Sequence, residues 1–190
     1  MLKTKNSELG RITAQQYASM EKMPVVVVLD NVRSAQNVGA FFRTGDAFGL
    51  GEVVLSGITG TPPSKEIHKS ALGAEFSVPW RYFDSTTHAI ETLRAQGYTI
   101  MAVEQVHGAT MLNEFRVEEG KKYAFIFGNE VDGVEQSAVD MADGVIEIPQ
   151  VGTKHSINVS VSGGVLLWSL FEQYSQIFNS PMPPNSTKAI

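Results

Sequence analysis

Three polar segments, each following an apolar run, hold most of the side chains in this sequence that could bind or activate a ligand. The first is Asn37-Val-Gly-Ala-Phe-Phe-Arg43-Thr44. Its guanidinium lies among Phe41, Phe42 and Phe48, a costly setting unless an anion meets it. Asn37 and Arg43 are six residues apart, so they do not stack on one helix face. They converge only if Asn37 sits at the helix start. A helix cap at Asn37 and an ion pair from Arg43 to Asp46 suit the same residues without a ligand. The second segment is Phe127-Gly128-Asn129-Glu130-Val131-Asp132-Gly133. A glycine closing a buried run lets a ligand approach the backbone, and Glu130 is placed to orient Arg43 or hold a polar group. A turn with solvated acids is the alternative. The third segment runs Ile148-Pro149-Gln150-Val151-Gly152-Thr153-Lys154-His155-Ser156-Ile157-Asn158-Val159-Ser160. Pro149 and Gly152 shape a loop, and Ser156 and Asn158 open a helix, where free N–H groups bind polar ligands or are simply capped.

The elements that must position these segments can be read from the apolar periodicity. Val25–Leu29 is apolar without a break, the pattern of a parallel strand covered on both faces. Helical spacing follows over Ala35–Phe48, stopped by Gly49 and Gly51, and Glu52–Leu55 reads as the next strand. Thr86–Gln96 reads as a helix, Tyr98–Val103 and Tyr123–Phe127 as strands, and Val134–Met141 as a short helix. Gly144–Ile148 is a further strand, and Ser156–Phe178 is the longest helical segment. The alternation predicts an α/β fold with a mostly parallel sheet flanked by helices. Ligands of such sheets gather at the carboxyl ends of strands, where all three segments fall. Residues 1–23 read as an N-terminal helix or arm, residues 24–178 as one domain, and residues 179–190 as a disordered tail.

A chain of 190 residues suits one domain, burying about 70% of its unfolded surface. With 43% apolar and 18% charged residues, wholesale disorder is excluded. The absence of cysteine excludes a disulfide scaffold, a thiolate metal site and a cysteine nucleophile. His68, His88, His107 and His155 lack metal-ligand spacing, and no Gly-rich phosphate loop follows a strand, so no metal is expected. The stretch 157–171 is too short and too interrupted to span a bilayer, and no apolar run of signal length opens the sequence. A cytoplasmic protein without membrane association is expected. The net charge of −5 argues against indiscriminate phosphate binding. Residues 113–143, with eight acids and three bases, carry all of that excess. Lys65, His68, Lys69 and Arg81 form a mildly basic stretch, which suits either a local nucleic-acid footprint or an ordinary solvated surface.

In order and spacing, the three segments together resemble the motifs of the SpoU (TrmH-type) RNA ribose methyltransferases of the SPOUT superfamily. The matching residues are Asn37-x-Gly39-Ala40-x-x-Arg43-Thr44, Phe127-Gly128-x-Glu130-x-x-Gly133 and Ile148-Pro149-x-x-Gly152-x-x-x-Ser156-x-Asn158-Val159-Ser160. Ser70-x-x-Gly73-Ala74 is a further family-like stretch, and the resemblance covers roughly residues 24–175. Gln150 stands where the family usually has methionine, Ile157 where leucine is common, and Ser162-Gly163 where alanine is frequent. The first two departures bear on the fine shape of a cofactor pocket.

The resemblance implies a C-terminal third tied in a deep trefoil knot, a rare exception to unknotted chain folds. It implies a homodimer with its active site where two subunits meet. The implied cofactor is S-adenosylmethionine, held by Gly128, Ile148, Gln150, Gly152 and Ile157. The implied reaction is methyl transfer to a ribose 2′-hydroxyl of tRNA or rRNA, with Arg43, Asn37, Glu130, Ser156 and Asn158 as the catalytic set. Arginine stays protonated in proteins. Arg43 is therefore expected to bind the adjacent RNA phosphate and lower the hydroxyl's pKa, the proton leaving through that phosphate or through Arg43. The alternative is a catalytically inactive RNA-binding or ribosome-assembly protein on the same fold, and the presence of all five residues counts against it.

Overall fold

The unbroken apolar run of β1 (Met23–Asp30) reflects cover on both faces: Val25, Val27 and Leu29 enter one core, Val26 and Val28 another. The computed structural model describes residues 12–177 together with residues 2, 3, 5 and 10. β1 pairs in parallel with β2 (Leu50–Ser56) on one side and β6 (Lys122–Phe127) on the other. β3 (Trp80–Phe83), β4 (Tyr98–Val103), β5 (Thr110–Met111) and β7 (Gly144–Glu147) complete a sheet of order β3-β2-β1-β6-β4-β7-β5. All six pairings among these strands are parallel. α2 (Ala35–Phe48), α3 (Lys65–Ala71) and α6 (Val159–Ile177) supply one core, and α4 (Thr86–Ala95) and α5 (Gln136–Met141) the other. Among the described residues, no helix is long and apolar enough to cross a membrane.

Local chemistry sets the ends of these elements. Ser34 caps α2 by accepting from the Asn37 N–H, and Gly49 ends it in the left-handed conformation, with φ of 66°. Asn37 is thus the third helical residue, and its side chain is free for other partners. α6 starts at Val159 rather than Ser156, because Asn158 caps it and the residues before stay extended in the loop. α1 (Ala14–Ser19) opens on a Thr13–Gln16 capping box, and its buried Tyr17 reaches the Gly45 carbonyl of α2. The expected tail, residues 179–190, lies outside the described residues.

The path of the chain after β7 shapes the ligand side of the sheet. β7 lies three places from β1, yet the start of α6 bonds to α2, which follows β1. Residues 148–158 therefore pass over the carboxyl ends of β4 and β6, the place where parallel sheets bind ligands.

Candidate active site

The start of α2 and the turn after β6 meet through one carboxylate. Glu130 Oε2 accepts the Arg33 N–H at 3.1 Å, and Oε1 accepts the Ser34 N–H at 3.1 Å and Asn37 Nδ2 at 2.7 Å. A carboxylate only accepts, so the amide of Asn37 must turn its nitrogen toward Glu130. Its oxygen then faces α6, where it accepts Asn158 Nδ2 and Ser160 Oγ, each at 3.2 Å. Asn158 Oδ1 in turn accepts the Ser160 N–H at 2.9 Å and, with Asn37 Oδ1, shares the single Ser160 hydroxyl proton, lying 2.7 Å from Ser160 Oγ. Asn158 is thus both the cap of α6 and its tie to α2. Burial pushes the Glu130 carboxyl up, but the bonds from Asn37, its own backbone, Arg33 and Ser34 outweigh it and hold the group below its ordinary value. Glu130 is therefore a carboxylate at neutral pH, and it fixes the polarity of the whole chain of bonds.

The turn that carries Glu130 is tight. Asn129 and Gly133 exchange backbone bonds at 3.0 and 3.2 Å, and Asn129 Oδ1 accepts the N–H groups of Val131 and Asp132. A Cβ on Gly128 would lie 1.9 Å from the Gly133 carbonyl carbon. The close approach expected of a ligand at Gly128 is thus made by the chain's own turn. That turn is braced by Glu104 Oε2, which accepts the Val134 N–H at 3.0 Å.

A cavity of about 530 Å³ opens over the carboxyl ends of β6, β4 and β7. Val103, Phe127, Ile148 and Ile157 give it apolar walls, and Glu130, Ser156 and Asn158 stand on its lining. Gly128 and Gln150 also line it. Glu104, Asp132 and Glu147 add acidic groups, and no lysine or arginine among the described residues lines it. Such a pocket suits a ligand with a flat apolar part and a positive charge. The loop 150–158 over it is exposed throughout, and Gln105 Nε2 latches it by donating to the His155 carbonyl at 2.9 Å.

Two expected members stand apart. Gly152 does not line the cavity, and a Cβ there would meet nothing within 4 Å, since it sits on the outer part of the loop. Arg43 is exposed and has no side-chain hydrogen bond or ion pair with any described residue. The acceptors of Glu130 are occupied by Arg33, Ser34 and Asn37, so the expected contact between Glu130 and Arg43 is absent. Asp46 accepts from Ser77 Oγ at 2.8 Å, and no ion pair joins it to Arg43 among the described residues. Arg81 leaves the basic stretch because it forms a two-pronged pair with Glu52, at 2.5 and 2.7 Å. Glu104 and Gln105 escaped the sequence reading. The available signal was their place, at the carboxyl end of the Tyr98–Val103 strand.

The model of the SpoU rRNA methylase family matches residues 24–168. A tRNA (guanosine(18)-2′-O)-methyltransferase from Thermus thermophilus is 30% identical over 167 residues, 88% of this chain and 84% of that protein. Among solved structures, the TrmH/SpoU tRNA modifying enzyme of A. aeolicus superposes with a TM-score of 0.77 at 25% identity, over 87% of this chain and 82% of that one. The AdoMet-bound rRNA methyltransferase from Sinorhizobium meliloti gives a TM-score of 0.73 at 27% identity, over 84% of this chain and 59% of that one.

Proposed function

The chain belongs to the SpoU rRNA methylase family, and from that premise we propose that it transfers a methyl group from S-adenosylmethionine to a ribose 2′-hydroxyl of tRNA or rRNA. The observation that carries this reading is the bonded chain Glu130–Asn37–Asn158/Ser160, drawn from three separate segments, of which Glu130 and Asn158 line one cavity. The cavity fits the cofactor: Ile148 and Ile157 offer apolar cover to an adenine, and the acidic lining favours a sulfonium cation. When bound there, S-adenosylmethionine supplies an electrophilic methyl group. The protein's own work is to hold the ribose in line and to ease loss of the hydroxyl proton.

Ser156 and Asn158 stand where a ribose entering the cavity mouth would be positioned, and the Glu130–Asn37 pair keeps Asn158 in place. Arg43, whose guanidinium has no partner among the described residues, binds the phosphate next to the target and stabilises charge developing on the hydroxyl oxygen. Within one chain Arg43 makes no bond to the Glu130–Asn37 network, which supports completion of the site by a second copy. Val161, Val165 and Trp168 form a stripe along α6, exposed by 53%, 41% and 47%, and this stripe is the proposed dimer face. The passage of residues 148–158 across β4 and β6 before α6 supports reading it as the threaded part of a trefoil knot. The cytoplasm, where such RNA is made in bacteria, is the proposed location.

Transfer of labelled methyl from S-adenosylmethionine to RNA of a strain lacking this gene tests the proposal. Label in one RNA species with the wild type, lost in Arg43→Ala, is the expected result. No label from the wild type, with cofactor binding intact, would overturn the assignment of catalysis and favour an RNA-binding role.

A further inference from the structure

The corner formed by α3, Leu72-Gly73 and the single-turn helix Ala74–Phe76 holds groups that the chemistry above leaves unused. Phe76 is 78% exposed and Leu72 64%, although both are large and apolar. Leu72 is also held in the left-handed region, with φ of 53°. His68 is an exposed ring tied down from below: its Nδ1 meets Oε1 of Glu75 at 2.5 Å, and the Glu75 side chain is only 3% exposed. Burial pushes the Glu75 carboxyl up, but contact with His68 and the backbone of Glu75 and Gly73 outweighs it, so the group stays ionised. An ionised acceptor on Nδ1 makes that nitrogen an N–H donor and leaves Nε2 as the ring nitrogen open to a further hydrogen-bond partner. The His68 and Phe76 rings lie 6.1 Å apart. Lys65 and Lys69 extend from the same short helix, Lys69 partly offset by Glu66 at 2.7 Å.

The corner brackets Arg43. Positions 39, 43 and 46 share one face of α2. At one end of that face, a Cβ on Gly39 would lie 2.1 Å from Ser70 Oγ, so α3 presses directly on the helix. At the other end, Asp46 accepts from Ser77. Arg43 lies between these contacts, exposed and without a partner among the described residues. The aromatic face, the imidazole and the lysines thus stand on the two elements, α3 and the single-turn helix, that pack against the helix carrying Arg43.

We propose that this corner is the landing surface for the RNA strand beside the target nucleotide, an inference that rests on the RNA reading above. Phe76 stacks on an unpaired base, His68 Nε2 hydrogen-bonds a neighbouring ribose hydroxyl, and Arg43 and Lys65 meet flanking phosphates. Stacking on an aromatic face is tolerant of base identity, whereas the ribose hydroxyl separates RNA from DNA.

The test is fluorescence anisotropy with a labelled single-stranded RNA of mixed sequence and the DNA of the same sequence, alongside RNA KM in the transfer assay. Phe76→Ala should raise the Kd for the RNA about tenfold and Phe76→Trp should restore it. Lys65→Ala should lower the salt dependence by about one counterion. His68→Ala should reduce the preference for RNA over DNA. S-adenosylmethionine affinity should not change in Phe76→Ala. Unaltered RNA binding and RNA KM in Phe76→Ala, with an active wild type, would overturn this proposal and leave the enzymatic reading standing. An equal loss of cofactor affinity in Phe76→Ala would overturn it too, since Phe76 would then act through the fold. A wild type that neither binds RNA nor methylates it would sink both.

Discussion

Replacing Asn37 separates the bonding role of its amide from mere occupancy of its position. Asn37→Ala removes the charge-assisted bond to Glu130 and two bonds at 3.2 Å to α6. Glu130 is partly open to solvent, so its bond counts at the low end, about 1.5 kcal/mol, and the two weaker ones add about 0.5 kcal/mol together after resolvation. The sum, about 2 kcal/mol, lowers Tm by roughly 4–8 °C for a chain of this size. Asn37→Asp keeps the shape but sets a carboxylate against Glu130, where the donor nitrogen stood at 2.7 Å. Like charges at that range cost about 1.5–6 kcal/mol in a partly solvated site. Asp should therefore be worse than Ala near neutral pH. The new carboxyl has its pKa raised in the folded state, so its penalty is present above its unfolded pKa and fades as the pH falls toward it. Thermal unfolding of both variants at about pH 7.5 and about pH 5 measures this. An Asp variant as stable as the Ala variant at the higher pH would refute the assigned polarity of the bonded chain.

Other consequences are equally direct. Gly128→Ala drives a Cβ to 1.9 Å from the Gly133 backbone, so denaturant unfolding should show a loss above about 3 kcal/mol or no folded protein. Gln105→Ala frees the latch on the His155 carbonyl; calorimetry should show S-adenosylmethionine binding weakened by about threefold to tenfold with little change in Tm. Val165→Glu with Trp168→Glu should halve the mass seen in sedimentation, because both sit on the exposed stripe of α6. The Glu130 carboxyl is held below its ordinary value. Its contribution is therefore present above its unfolded pKa, about 4.3, and is lost as the pH falls through the lower folded value. Acid unfolding of Glu130→Gln should be flatter over that interval than that of the wild type.

Much of the frame could be read from patterns that burial enforces. Val25–Leu29 is apolar at every position because two cores claim alternate side chains, and that is a sequence signal. α3 was invisible because it buries only Ile67 and Ala71, and β5 because two residues cannot show a period. β3, at a sheet edge, has no fully buried residue, so it has no apolar run either. In the site, Asn37, Glu130 and Asn158 were legible as residue types at strand ends. Their bonding to one another was not, since it spans 93 and 121 positions of sequence and depends on where residues 148–158 cross the sheet. Gly128 was legible as a close approach, but what approaches it is set by the Asn129–Gly133 turn. Arg43 illustrates the reverse. Its aromatic sequence neighbours suggested enclosure, yet the helix points Phe41 and Phe42 inward and leaves the guanidinium outside.

The central claim is that the acceptor atom is a ribose oxygen. RNA methylated by the wild type in the labelled assay should be digested to nucleosides and the labelled product separated by mass spectrometry. Label is expected on the ribose of one nucleoside, with the adjoining phosphodiester resistant to alkali, because a methylated 2′-oxygen can no longer attack it. Label recovered on a base, with normal alkaline cleavage at that position, would contradict the claim.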